Sequence, residues 1–272
     1  MKKKASSLPI GVFDSGIGGL TVAHAISKLM PNETIIYFGD TAHLPYGDKS
    51  PDLIHSFVKN ISKFLIRKEK CKSVVIACNT ASAISYEFLR DKHVGNVPIF
   101  NVIDPIVEAI SEDKQITKVG LIATKTTVES RVYQEKLKRR NPDLKIEVLA
   151  TPLLAPMIEE GFSQDKISNT VIENYLSNPK FKDIDALILG CTHYVLIADE
   201  INEFFQGKVQ LFDSTDILAL KLKDIFENEN MLSEKKRQEN KFYVSDLTKG
   251  FEDSASRFYG QSLKLVLKKL KD

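Results

Sequence analysis

Ile76-Ala77-Cys78-Asn79-Thr80 returns as Leu189-Gly190-Cys191-Thr192-His193, 113 residues further on. In both copies a short apolar run ends on a cysteine followed by polar residues. Working outward, Gly11-Val12-Phe13-Asp14 matches Gly120-Leu121-Ile122-Ala123 at an offset of 109. Ile36 and Ile146 differ by 110, and Phe100 and Phe212 by 112. Four apolar runs recurring in order at nearly constant spacing mark one unit written twice. Amphipathic, charged segments separate the runs, which is the pattern of strands joined by crossover helices in a parallel sheet. The fold class read here is α/β, with two similar domains of mostly parallel sheets related by pseudo-twofold symmetry and the active site in the cleft between them.

The expected strands are 10–13, 35–38, 74–76 and 98–102 in the first unit, then 119–122, 146–149, 186–189 and 209–212 in the second. Helices are expected over 20–29, 52–67, 127–140 and 166–176. Residues 1–102 with a returning tail, 213–272, are assigned to the first domain, and 103–212 to the second. The tail reads as helices at 217–226 and 234–240, an extra edge strand at 242–246, and a terminal helix.

The 272 residues carry 38 Lys+Arg against 36 Asp+Glu, a formal charge of +2. That balance argues against a sequence-independent nucleic-acid binder, which needs surplus cations to displace counterions. With 43% hydrophobic and 27% charged residues, the composition is that of an ordinary globular protein. Asp14 and nearby glycines interrupt the apolar stretch after Met1-Lys2-Lys3-Lys4, so no signal-peptide core is expected. No run approaches the roughly 18 apolar residues of a membrane span. The three cysteines, Cys71, Cys78 and Cys191, contain no C-x-x-C. This excludes a disulfide scaffold and a four-cysteine zinc site, and favours reduced thiols in the cytosol.

Polar residues cluster at the carboxyl ends of the strands, where open α/β sheets bind ligands. Asp14-Ser15-Gly16-Ile17-Gly18-Gly19 fits neither the G-x-G-x-x-G fingerprint nor a P-loop. Asp40, 24 residues after Gly16, keeps a dinucleotide reading open; a glycine turn packing a helix closely on the sheet is the plainer one. Cys78 falls at a helix start, where backbone N–H groups favour a thiolate. Cys191 stands in the equivalent place, with His193 two residues on as a potential base. If the halves face each other, the thiols stand on opposite sides of one cleft. Inverting a stereocentre by proton transfer needs a base on one face of the carbon and an acid on the other. A thiol and a thiolate meet that need in both directions. Asp14 and His193 are candidates to tune the two thiols. The motif segments hold no Lys or Arg, so an anionic substrate would rest on Ser15, Asn79, Thr80, Thr192 and helix N-termini. A metal site from Cys78, Cys191 and His193 lacks a convincing ligand spacing. No cofactor fingerprint is evident, and Cys71 is assigned no role.

The segments Ile10–Val22, Tyr37–Thr41, Leu44–Gly47, Ala77–Ser82, Ile103–Pro105 and Leu189–Tyr194 together resemble the glutamate racemases of the cofactor-independent aspartate/glutamate racemase superfamily. The resemblance spans essentially the whole chain. It implies two α/β domains with a glutamate site between them, no cofactor and no metal. It implies that Cys78 takes the α-proton of D-glutamate and Cys191 that of L-glutamate, assisted by Asp14 and His193. Glu159, in Pro156-Met157-Ile158-Glu159-Glu160-Gly161, matches a further acidic residue beside His193, with Glu160 adjacent. Asp14, Ser15, Tyr46, Gly47, Asn79, Thr80, Thr124, Thr192 and His193 fall on substrate-contact positions. D-glutamate supply for peptidoglycan, cytoplasmic location and a homodimer are further implications. The chain departs from the family pattern at Ala150-Thr151-Pro152, where a cysteine often precedes the proline. A racemase for another small amino acid, a non-catalytic small-molecule binder and a thiol redox protein remain the rival readings.

Overall fold

The computed structural model describes residues 6–92, 95–235, 238–248 and 250–270. Among the described residues, ten strands form two sheets in which every pairing is parallel. The first sheet contains β1 (Ile10–Asp14), β2 (Ile35–Gly39), β3 (Ser73–Ile76), β4 (Ile99–Asn101), β9 (Lys241–Val244) and β10 (Leu265–Leu267), in the order β10-β9-β2-β1-β3-β4. The second contains β5 (Lys118–Ala123), β6 (Lys145–Ala150), β7 (Ala186–Gly190) and β8 (Gln210–Phe212), in the order β6-β5-β7-β8. The second sheet thus repeats the β2-β1-β3-β4 core of the first.

Every residue of β1, β2, β3 and β7 is buried, as parallel strands covered by helices on both faces require. The registers refine the repeat. Gly11 pairs with Val74 and Gly120 with Leu187, preserving the offset of 113 between the cysteine-bearing strands. Gly11 also pairs with Ile36, whereas Gly120 pairs with Glu147, so the counterpart of Ile36 is Glu147 and not Ile146. β6 is an edge strand, exposed or half-buried throughout. Its alternation therefore does little to specify which residue faces inward.

Some helices differ from expectation. The segment 127–140 is two helices, Lys125–Glu129 and Val132–Arg140, separated by Arg131 in the left-handed region at φ 57°. Thr124 caps the first, its hydroxyl accepting from Thr127 N. The helix Pro51–Lys63 runs into a π-turn, Phe64–Lys68. In the tail, Ser214–Asn228 is helical, but 234–235 and 238–240 are not, and 236–237 lie outside the described residues. The expected strand at 242–246 exists as β9. It lies inside the sheet, because β10 follows the helix Phe251–Tyr259 and takes the edge.

The helix Ser214–Asn228 packs on both Leu20–Leu29 and Ile103–Glu112. One continuous apolar core therefore runs through both units, with a smaller cluster on the other face of the first sheet. Among the described residues no helix is long and apolar enough to cross a membrane.

Candidate active site

The carboxyl ends of the two sheets converge on a cavity of about 260 Å³. Strand ends of the first unit supply Ser15, Gly16, Leu44–Gly47 and Cys78–Thr80. The second supplies Thr124, Glu159 and Gly190–His193. None of these lining residues is a lysine or arginine. Of the catalytic and substrate-contact positions implied by the resemblance, all but Asp14 line this cavity, and Glu160, the neighbour of Glu159, does not. Asp14 is fully buried beneath the cavity, its Oδ2 accepting from Gly16 N at 3.2 Å and Gly19 N at 3.0 Å. Its Oδ1 has no protein partner. Burial pushes the Asp14 carboxyl up, against the opposing pull of His193 and these N–H groups.

The two thiols differ in their surroundings. Cys78 is buried; its Sγ accepts from Ala81 N at 3.4 Å, as a cap on the helix Asn79–Lys92, and donates to Ser15 Oγ at 3.6 Å. Burial, and then the charge of Asp14, pushes its pKa up to about 12. The charge of Cys191 acts in the same direction. Cys191 is half-buried and lies 3.4 Å from His193 Nδ1. Here a short 3-10 turn, Tyr194–Ile197, follows the strand before the helix Ala198–Phe204. The local ligand of the second sulfur is thus an imidazole. His193 Nε2 is 2.8 Å from Glu159 Oε1, while Glu160 is exposed, so Glu159 is the acid beside the histidine. Burial opposes a charge on His193. The negative charges of Cys191 and Glu159 outweigh it and raise the imidazole well above its ordinary value.

Hydroxyls stitch the units together. Thr80 Oγ1 lies 2.9 Å from Thr124 Oγ1 and 3.2 Å from Thr127 Oγ1, and Thr126 donates to Gly47 O at 2.6 Å. The Tyr133 hydroxyl donates to Asn79 Oδ1 at 2.7 Å, leaving the buried Asn79 Nδ2 as a donor without a protein partner. Thr126, Thr127 and Tyr133 were not anticipated. The cap spacing Thr124-x-x-Thr127 was the available signal for Thr127 alone. Asp40 lines a separate cavity of about 400 Å³ with His43, Phe57 and Ser245, and its carboxylate takes the Tyr46 hydroxyl at 2.6 Å.

A family model described as Asp/Glu/Hydantoin racemase matches residues 20–222. A glutamate racemase of Neisseria meningitidis is 39% identical over 259 residues, 95% of either chain. The crystal structure of a Francisella tularensis glutamate racemase in complex with D-glutamate superposes with a TM-score of 0.90 at 36% identity, covering 97% of this chain and 98% of that one. A Bacillus anthracis glutamate racemase isoform, RacE1, gives 0.91 at 32% identity over 97% and 98%. With the duplicated sheets, the shared cavity and identity along nearly its whole length, this chain belongs to the Asp/Glu/hydantoin racemase family.

Proposed function

We propose that this protein is a glutamate racemase that interconverts L- and D-glutamate with two cysteines and no cofactor. One observation carries the reading: Cys78 and Cys191 follow corresponding strands of two repeated units and line one cavity that holds no lysine or arginine. The names of the relatives and the D-glutamate held by the Francisella tularensis protein support glutamate as the substrate.

Racemisation breaks the Cα–H bond on one face and remakes it on the other. One thiolate takes the α-proton, the electron pair delocalises into the α-carboxylate, and the opposite thiol delivers its proton. The sulfurs have then exchanged protonation states, and the same pair runs in reverse. In the resting site, Cys78 is held as a thiol by burial and by Asp14. Cys191 Sγ lies 3.4 Å from His193 Nδ1, a partner for the proton that the sulfur takes or gives. Toward L-glutamate, Cys191 acts as base and Cys78 as acid. Asn79 Nδ2 and the hydroxyls of Ser15, Thr80 and Thr192 are donors for the substrate carboxylates. Supply of D-glutamate for peptidoglycan in the cytoplasm, by a homodimer, completes the proposal.

The test is incubation with L-glutamate in D2O, following optical activity and deuterium at the α-carbon, with aspartate alongside. We expect loss of optical activity with deuterium in the product. Cys78→Ala and Cys191→Ala should each lower racemisation by about 1,000-fold or more while remaining folded. Substantial turnover in either variant overturns the mechanism, and no exchange with glutamate overturns the substrate.

A further inference from the structure

Asp40 follows β2 and is 3% exposed, yet it does not line the cavity that holds the two cysteines. Its carboxylate collects three donors. Oδ2 accepts the Tyr46 hydroxyl at 2.6 Å, and Oδ1 accepts the Ser245 hydroxyl at 2.8 Å. His43 Nδ1 approaches both oxygens, at 2.9 and 3.0 Å, and must carry its proton there because an ionised carboxylate only accepts. Ser245 belongs to the segment after β9, a strand with no counterpart in the second sheet. That segment is sewn to the same loop by Ala42 N to Ser245 Oγ at 2.9 Å and by Asp246 N to Thr41 Oγ1 at 2.8 Å.

Tyr46 lines the cavity and is 1% exposed, and its hydroxyl is taken up by Asp40. The next residue, Gly47, is held from the opposite unit by Thr126 and has no room for a Cβ against Thr124, 2.9 Å away. The wall Leu44–Gly47 is therefore pinned at one end to the first unit and at the other to the second. The geometry points to Asp40 as a positioning residue that sets this wall through the Tyr46 hydroxyl, so that Tyr46 serves glutamate with its backbone and ring rather than with its phenol oxygen. The second unit does something similar. Thr151 follows β6 at the position matching Asp40 and lies 2.8 Å, Oγ1 to hydroxyl, from Tyr194, the neighbour of His193.

The inference rests on the glutamate racemase reading for its kinetic form but not for its structural one. Asp40→Asn leaves one acceptor oxygen for three donors and turns an amide N–H2 toward one of them. Asp40→Asn and Tyr46→Phe sever the same bond from its two sides. In the full-length protein each should raise KM for glutamate by about tenfold, with kcat within about threefold, because neither side chain exchanges the α-proton. The double variant should be no worse than the poorer single one. An unchanged KM in both singles, or effects that multiply, overturns the proposal. The second readout is hydrogen exchange of residues 41–50 in the free protein. It should quicken by about tenfold in either variant while β1 and β3 keep their rates; unchanged exchange also overturns the proposal. If wild-type protein leaves glutamate untouched, the functional reading falls and the exchange experiment alone decides Asp40. If Asp40→Asn does not fold, Tyr46→Phe carries both readouts.

Discussion

Cys71 and Cys78 are both buried thiols with pKa values pushed up from 9.0 to about 12, Cys71 by burial and then by Glu69, Cys78 by burial and then by Asp14. Only Cys78 lines the cavity; Cys71 packs against Gly11 and Leu65 at the far end of the sheet. A thiol that keeps its proton when folded but loses it when unfolded makes stability fall as pH rises. The loss starts at the unfolded value of 9.0, amounts to roughly 1 kcal/mol per pH unit for each thiol, and ends at the folded value. Cys71→Ala should therefore flatten the alkaline loss while leaving racemisation intact. Urea midpoints at about pH 8 and about pH 10, paired with the racemisation assay, check both halves of this expectation. His193 has the opposite chemistry and a comparable sign. Its raised pKa contributes stability that is complete below the unfolded value of 6.5 and lost as pH climbs through the folded one.

The strand-to-helix turn Ser15–Gly19 shows why a glycine cluster that fits no nucleotide fingerprint is still required. A Cβ on Gly18 would meet Thr192 Oγ1 and come within 2.6 Å of His193 Cε1, and one on Gly19 would lie 2.6 Å from Asp14 Cβ. The turn is the point where the first unit presses on the second, directly behind the thiol and imidazole of Cys191 and His193. Gly18→Ala must push the units apart or displace His193. We expect kcat/KM to fall about 100-fold, since a shift near 1 Å at the reacting groups costs that much. Gly250→Ala, which meets nothing within 4 Å, should be neutral in the same assay. The broken helix at 125–140 follows a related logic. Its first turn brings Thr124, Thr126 and Thr127 to the opposite unit, and Arg131 then redirects the chain so that Tyr133 reaches Asn79.

Across the whole molecule, distant segments meet at a buried ion pair. Lys72 Nζ donates to Glu33 Oε2 at 2.6 Å, to Ser6 O at 2.6 Å and to Met231 O at 2.8 Å, over the ring of Phe226. Glu33 Oε1 in turn accepts from Ser233 N at 2.8 Å. Lys72→Met leaves Glu33 charged and almost unpaired in a site where it is 1% exposed, so we expect a loss of about 3–5 kcal/mol. Adding Glu33→Leu should recover most of it, as denaturant unfolding will read. The sequence by itself determined the duplication, the parallel α/β class and the placing of two thiols after corresponding strands, because apolar runs and their spacing survive as local pattern. Tertiary structure decided matters that pattern does not encode. Glu159 and Glu160 are neighbours of one type, and only the packing of the helix Leu154–Glu159 turns the first toward His193. Asp14 reads as a cavity residue but is turned inward by the N–H groups of its own glycine turn. Asp40 leaves a dinucleotide reading open in the sequence, but its carboxylate bonds Tyr46 and Ser245, the latter 205 residues away in sequence. The one-residue shift of Ile146 against Ile36 has the same origin. An edge strand with no fully buried face leaves its register to long-range pairing, whereas the buried strands around Cys78 and Cys191 fixed theirs through their own apolar residues.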